Sequence, residues 1–111
     1  TLPFLVPRIA RHTTRFARVP VTPEEILADF KRFYFDTTAV SHPHAIDALL
    51  AIAPKDHLLY GSDHPFMLQN AISAGVDFLK STGKYDDATR RAVGYENAQR
   101  LFPNIKRSSS N

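Results

Sequence analysis

The chain has 111 residues, of which 43% are apolar, 23% charged and 11% aromatic, with eight Pro, four Gly and no Cys; these ordinary globular values exclude collagen-like, low-complexity and disulfide-scaffold proteins. Fourteen Lys and Arg against eleven Asp and Glu give a net charge of +3, which excludes a disordered acidic or basic tail. No stretch approaches the roughly 20 apolar residues of a membrane span and no charged-then-apolar leader is present, so a soluble, cytoplasmic protein is expected, and the absence of Cys fits a reducing compartment.

Length allows one domain at most. The first residue is Thr1 and the single methionine is Met67, so an N-terminus made by cutting, processing or an incomplete reading frame is expected. The first element is an amphipathic helix. Leu5, Ile9, His12, Thr13 and Phe16 recur at helical spacing, while Arg8, Arg11, Arg15 and Arg18 follow the same period on another face. It ends before Val19-Pro20. Thr22, Pro23, Glu24 and Glu25 then combine an N-cap Thr, a first-turn Pro and a Glu in capping-box position. Ile26, Leu27 and Phe30 are the expected buried stripe of this second helix.

Residues 32–38 read as a strand, because Phe33, Tyr34 and Phe35 are consecutive aromatics without alternation, the pattern of a strand covered on both faces. Pro43 opens a helix with the stripe Ile46, Leu49, Leu50 and Ala53, closed by Pro54. Residues 57–62 carry Leu58, Leu59 and Tyr60 as a second unbroken apolar strand. A crossover long enough for one helix makes this a parallel β-α-β unit. Two helices complete the chain: 70–82, with Ile72, Val76 and Leu79 inward and Gly83 as its stop, and 86–101, ending at Pro103. A flexible, solvated tail is expected over 104–111, where three Ser are consecutive.

Two parallel strands need cover on both faces and neighbours on both edges. No further strand is evident, so the chain reads as the end of a larger α/β domain that leaves apolar surface exposed on its own. The chemistry concentrates at the end of the second strand, in Tyr60-Gly61-Ser62-Asp63-His64-Pro65-Phe66. Gly61 permits a close backbone approach, and Asp63 and His64 leave the strand at its C-terminal end, where parallel α/β folds build their sites. An Asp there can bind a divalent metal through oxygen or exchange protons. It can also serve as a turn cap, with His64 as a rim residue.

Tyr-Gly-Ser-Asp-His-Pro-Phe after a buried strand resembles the eighth-strand signature of the amidohydrolase superfamily. The resemblance is to the branch of metal-dependent decarboxylases that contains α-amino-β-carboxymuconate-ε-semialdehyde decarboxylase and 6-methylsalicylate decarboxylase. Phe33-Tyr34-Phe35-Asp36-Thr37 is similar to the family's seventh strand, Glu96-Asn97-Ala98-Gln99-Arg100-Leu101-Phe102 to its closing helix, and Leu2-Pro3-Phe4-Leu5 to the segment after its sixth strand. The resemblance implies a (β/α)8 TIM barrel of which residues 1–111 are the C-terminal third, roughly strands 7 and 8 with their helices, incomplete alone. It implies that Asp63 is both a metal ligand and a catalytic proton carrier, that His64 and Phe66 bind substrate, and that the substrate is a small aromatic or unsaturated carboxylic acid. The metal implied is zinc, with manganese as the alternative, and family members are commonly homodimers. The family's first-strand His-x-His pair and its fifth- and sixth-strand His all fall before Thr1. One ligand cannot hold a catalytic metal, so this chain alone is expected to be inactive.

His42-Pro43-His44 also spells H-x-H, but it follows the seventh strand. A first-turn Pro preceded by a His cap explains it without metal. His12 reads as a surface residue, His57 as the bottom of the sheet, and Asp36 as a structural acid that ties down the loop after its strand. The competing functions are a hydrolase of the same superfamily and a truncated, non-catalytic binding protein. Nucleic-acid binding through the arginine stripe is set aside, because no stacking motif or recognition helix accompanies it.

Overall fold

The structure is a computed structural model and describes residues 2–38 and 42–104. Tail residues 105–111 lie outside the described residues. Helix α1, Leu2–Phe16, packs against α2, Pro23–Phe30, and touches α3, Pro43–Leu50. The capping box at α2 forms as its sequence requires: Thr22 Oγ1 accepts from the Glu25 N–H at 3.2 Å, and Glu25 Oε2 accepts from the Thr22 N–H at 2.7 Å. On α1 the buried residues are Val6 and Ala10. The expected stripe is corrected here, since Leu5 and Phe16 face outward. Ala10 is small enough to let a neighbouring helix approach closely, which the aromatic ring of Phe16 does not allow.

Strands β1, Phe35–Asp36, and β2, Leu58–Leu59, form a parallel pair, with Phe35 opposite Leu58 and Asp36 opposite Leu59. Helix α3 is the crossover between them. Both strands are shorter than expected, and turns at their starts account for it. Arg32 and Phe33 still donate to Asp29 and Phe30 carbonyls as α2 unwinds, and His57 belongs to a 3₁₀ turn at Lys55–His57. At the other end Thr37 N–H adds one bond to Leu59 C=O, at 2.9 Å. Phe33 and Tyr34, expected to be covered on both faces, are exposed; two short strands do not make two faces to cover.

The core gathers around this pair: Ile46, Leu49, Ala53, Leu58, Tyr85 and Val93, with Phe35, Ile52, Phe78 and Leu79 packed against it. Ile46, Leu49 and Ala53 are the stripe read from the sequence. Helix α4, Gln69–Ser81, has no fully buried residue. It stops because Thr82 turns to extended backbone, φ −62° and ψ 128°; Gly83 is not in the left-handed conformation expected of a stop glycine. The radius of gyration is 16.3 Å, above the roughly 13 Å of a compact chain this long. Phe4, Phe16, Phe66 and Leu68 are exposed, the apolar surface expected of a part-domain.

The end of the chain is one helical run in three pieces: α5, Asp87–Arg91, a π-helical turn, Ala92–Glu96, and α6, Asn97–Leu101. It settles the far edge of β2. In the π turn the Asn97 N–H reaches back five residues to Ala92 C=O. The Val93 carbonyl accepts from the Tyr60 N–H at 2.9 Å. The Asn97 side-chain amide donates to Leu58 C=O at 2.7 Å and Lys55 C=O at 2.9 Å. The strand neighbour that this edge calls for is not expected within this chain; here the Leu58 C=O and Tyr60 N–H find their partners in a helix.

Asp86 caps α5, its Oδ1 accepting from the Thr89 N–H at 2.7 Å. Hydrogen bonding to Thr89 holds its carboxyl below the usual carboxylate range. A carboxyl depressed in the folded state stabilises above its unfolded value, about 3.9, and that contribution is lost as pH falls through the folded value. Asn caps equally well without titrating. Asp86→Asn is therefore expected to keep neutral-pH stability and to flatten the decline between pH 5 and 2, read from urea midpoints across that range.

Candidate functional site

The C-terminal end of β2 runs through Tyr60, Gly61 and Ser62 into a tight turn. Asp63 sits at φ 56°, the one non-glycine in the left-handed region among the described residues. Such a residue is costly for most side chains and tolerable for Asp, whose short carboxylate bonds locally. The turn closes by Met67 N–H donating to Asp63 C=O at 2.9 Å, and His64 N–H reaches Ser62 Oγ at 3.4 Å. The His64-Pro65 peptide is cis. Asp63, His64 and Phe66 are all exposed, Phe66 to 88%. The turn thus exposes a carboxylate, an imidazole and a phenyl ring within four consecutive residues.

Gly61 is what lets β1 approach this turn. A Cβ on it would collide with Thr38 Oγ1 and lie 3.2 Å from Asp36 Cβ. Asp36 itself accepts from the Thr38 N–H at 2.9 Å, the structural tie read from the sequence. Gly61→Ala is expected to cost about 1–2 kcal/mol by pushing this turn away. In Gly61→Ala/Thr38→Ala, part of the loss returns, which denaturant melts of the three variants measure.

The other histidines do not join the turn. His42 is the N-cap of α3, its Nδ1 accepting from the His44 N–H at 3.3 Å with Pro43 in the first turn, as expected for the H-x-H tripeptide. His57, before β2, stacks on Tyr34 with ring centres 4.4 Å apart, and its Nδ1 lies 3.2 Å from Phe33 C=O. His12 stacks on Phe16 on exposed α1. Among the described residues no three His, Asp or Glu side chains assemble into a group that could hold a metal ion. Asp63 supplies one carboxylate donor, and a metal centre takes three or more, so the donors on this chain do not by themselves fit a catalytic metal.

A model of the amidohydrolase family matches residues 3–103. The chain belongs to the amidohydrolase family. It is 35% identical over 107 residues to the 6-methylsalicylic acid decarboxylase of Penicillium expansum, covering 96% of this chain and 33% of that protein. Its backbone superposes on a crystal structure of an amidohydrolase II with a TM-score of 0.77 and 27% identity, over 90% of this chain and 31% of that one. A dihydroxybenzoic acid decarboxylase from a Polaromonas species, solved with manganese and the inhibitor 2-nitroresorcinol, matches with a TM-score of 0.67 and 29% identity, over 96% and 32% of the two chains. The chain thus spans about a third of the length of these relatives. These neighbours are TIM-barrel enzymes of the amidohydrolase type, and the α/β architecture of this chain is that of part of such a barrel. No helix among the described residues is long and apolar enough to cross a membrane.

Sequence reasoning missed one residue of consequence. Asn97 is fully buried and holds the β2 edge. Its signal was present: four residues from Val93, it stands on the buried stripe of its helix, where an uncharged amide has to find partners inside the protein.

Proposed function

We propose that this chain is the C-terminal third of a metal-dependent carboxy-lyase, holding strands 7 and 8 of its barrel as β1 and β2, and acting on a small aromatic carboxylic acid. The observation that carries the proposal is Asp63: a carboxylate at the C-terminal end of a parallel strand, held in the left-handed conformation that turns it out of the strand, in a chain whose relatives include decarboxylases. Asp63 is the catalytic proton carrier and one ligand of the metal, zinc or manganese, whose other ligands lie on barrel segments outside this chain. The metal, when bound, supplies a Lewis acid that orients the substrate's oxygen atoms.

The residues on this chain divide the remaining work. Phe66 offers its ring face to an aromatic substrate, and His64 offers a hydrogen bond to a ring hydroxyl or the carboxylate. A protonated Asp63 delivers its proton to the ring carbon that bears the carboxylate. The carbon–carbon bond then breaks with its electron pair left on that carbon, CO2 departs, and Asp63 remains as the carboxylate. A homodimer is part of the proposal, as is the absence of nucleic-acid or membrane partners.

The test is product analysis on a longer protein that joins this chain to the upstream barrel portion. With hydroxybenzoic acids, release of CO2 and the corresponding phenol is expected. Cleavage of ester or amide substrates without CO2 release would overturn the proposal in favour of a hydrolase.

A further inference from the structure

On the outer edge of β2 a helix does the work of a strand. Leu59 gives its C=O to the Thr37 N–H on the β1 side, so the Leu58 C=O and the Tyr60 N–H point the other way. In a parallel sheet those two groups bond the N–H and the C=O of a single residue on the next strand. Here the Asn97 side-chain amide supplies the N–H, 2.7 Å from Leu58 C=O, and Val93 supplies the C=O, 2.9 Å from the Tyr60 nitrogen. Two residues of one helical run stand in for one residue of a strand.

The π turn makes this possible. In an α-helix the Asn97 N–H would take Val93 C=O, four residues back. It reaches Ala92 C=O instead, which leaves the Val93 carbonyl to bond outside its own helix. Arg91 and Glu96 pair at 3.6 Å across the turn, and Arg100 Nη2 donates to Asn97 Oδ1, fixing which way the amide faces.

This clamp lies close to the chemistry. Tyr60 is the last residue anchored on that edge among the described residues, and only Gly61 and Ser62 separate it from Asp63. The opposite edge is pinned by Thr37 and by the tight seat of Gly61 against Asp36 and Thr38. Without the clamp, β2 is held on one side only and can roll about it, carrying the turn along. We propose that Asn97 and the π turn that frees Val93 C=O are positioning elements of the decarboxylation: they fix the outer edge of β2 and so the place from which Asp63 delivers its proton. The catalytic part of this rests on the carboxy-lyase reading. A displacement of about 1 Å at a reacting group costs roughly 10²-fold in rate, so a modest roll is enough to matter.

The test uses the longer protein that joins this chain to the upstream barrel, with Asn97→Ala, Asn97→Gln and, as a control, Val6→Ala, a buried truncation on α1 remote from β2. Rates are referred to the folded fraction, and hydrogen exchange is followed by mass spectrometry on a peptide spanning 58–66. Asn97→Ala is expected to speed exchange in that peptide by about tenfold or more over the native protein. Its kcat should fall about 10²-fold while KM moves less than about fivefold, because ring contacts tolerate a small shift that proton delivery does not. Asn97→Gln keeps the amide and carries it one bond further out, so both its exchange and its kcat should lie between those of the native and Ala proteins; where Ala does not fold, Gln carries the test. Val6→Ala should leave kcat and the 58–66 exchange within about twofold of native, since it shares no partner with β2. Faster exchange at 58–66 with a native kcat, no local change in exchange, or an equal loss of kcat in Val6→Ala would overturn the proposal. If the native protein releases no CO2, the carboxy-lyase reading fails by itself, and the exchange data still decide whether Asn97 holds the Asp63 turn.

Discussion

Asn97→Ala is expected to destabilise the fold by about 3–4 kcal/mol. The Asn97 side chain is fully buried and uses every polar atom it has: its amide donates to Leu58 C=O and Lys55 C=O, and its carbonyl accepts from Arg100 Nη2. Truncation leaves two backbone acceptors without their partner, one of them on the fully buried Leu58, at about 1–3 kcal/mol for each buried unsatisfied group, and opens a void beside Val93. A chain of this length is stabilised by roughly 5–15 kcal/mol in total, so the loss is a large fraction. Asn97→Asp is expected to be worse than Ala, since it sets an anion against two carbonyl oxygens in a buried place. In urea, at a slope of about 2 kcal/mol per molar, the Ala midpoint should fall by roughly 1.5–2 M. A loss under about 1 kcal/mol, or an Asp variant as stable as the native chain, would mean that the amide is not what seals this edge.

The same residue marks where sequence reading succeeded and where it stopped. The capping box at Thr22, the cap at His42, the stripe Ile46-Leu49-Ala53 and the parallel pairing of the two apolar runs were all legible, because each depends on residues within one turn or one helix of each other. The tie between Asp36 and the Thr38 N–H is of the same kind. The partner of the β2 edge was not legible, because Leu58 and Asn97 are separated by most of the last two helices and a π turn is needed to bring them together. A bare apolar run specifies that an edge must be paired, without naming the partner. On α1 the period was right and the face was wrong by one residue, since Val6-Ala10 and Leu5-Ile9 repeat equally well; only the packing of α2 and α3 chooses between them. The turn from Asp63 to Phe66 stood out through its residue types, and its left-handed Asp63 follows from the tight turn between strand and helix.

That backbone conformation shapes the second large prediction. Asp63 has two separable roles in the proposed enzyme: it occupies a left-handed position, and it presents a carboxylate. Asn tolerates the left-handed region as Asp does, so Asp63→Asn keeps the turn and removes only the acid. In the longer protein that joins this chain to the upstream barrel, Asp63→Asn is expected to lower CO2 release by about 10²–10⁴-fold, the range for removing a positioned proton carrier, and to reduce bound metal measured by elemental analysis. Its unfolding free energy, measured on metal-free protein, should stay within about 0.5 kcal/mol of the native value, as for a change at an exposed site that keeps its backbone. Asp63→Ala removes the acid and strains the turn, so it should lose the same activity and also about 1 kcal/mol of stability. The comparison separates chemistry from architecture: if Asn and Ala lose stability alike while Asn keeps its activity and metal, Asp63 is a turn residue and the carboxylate does no chemistry.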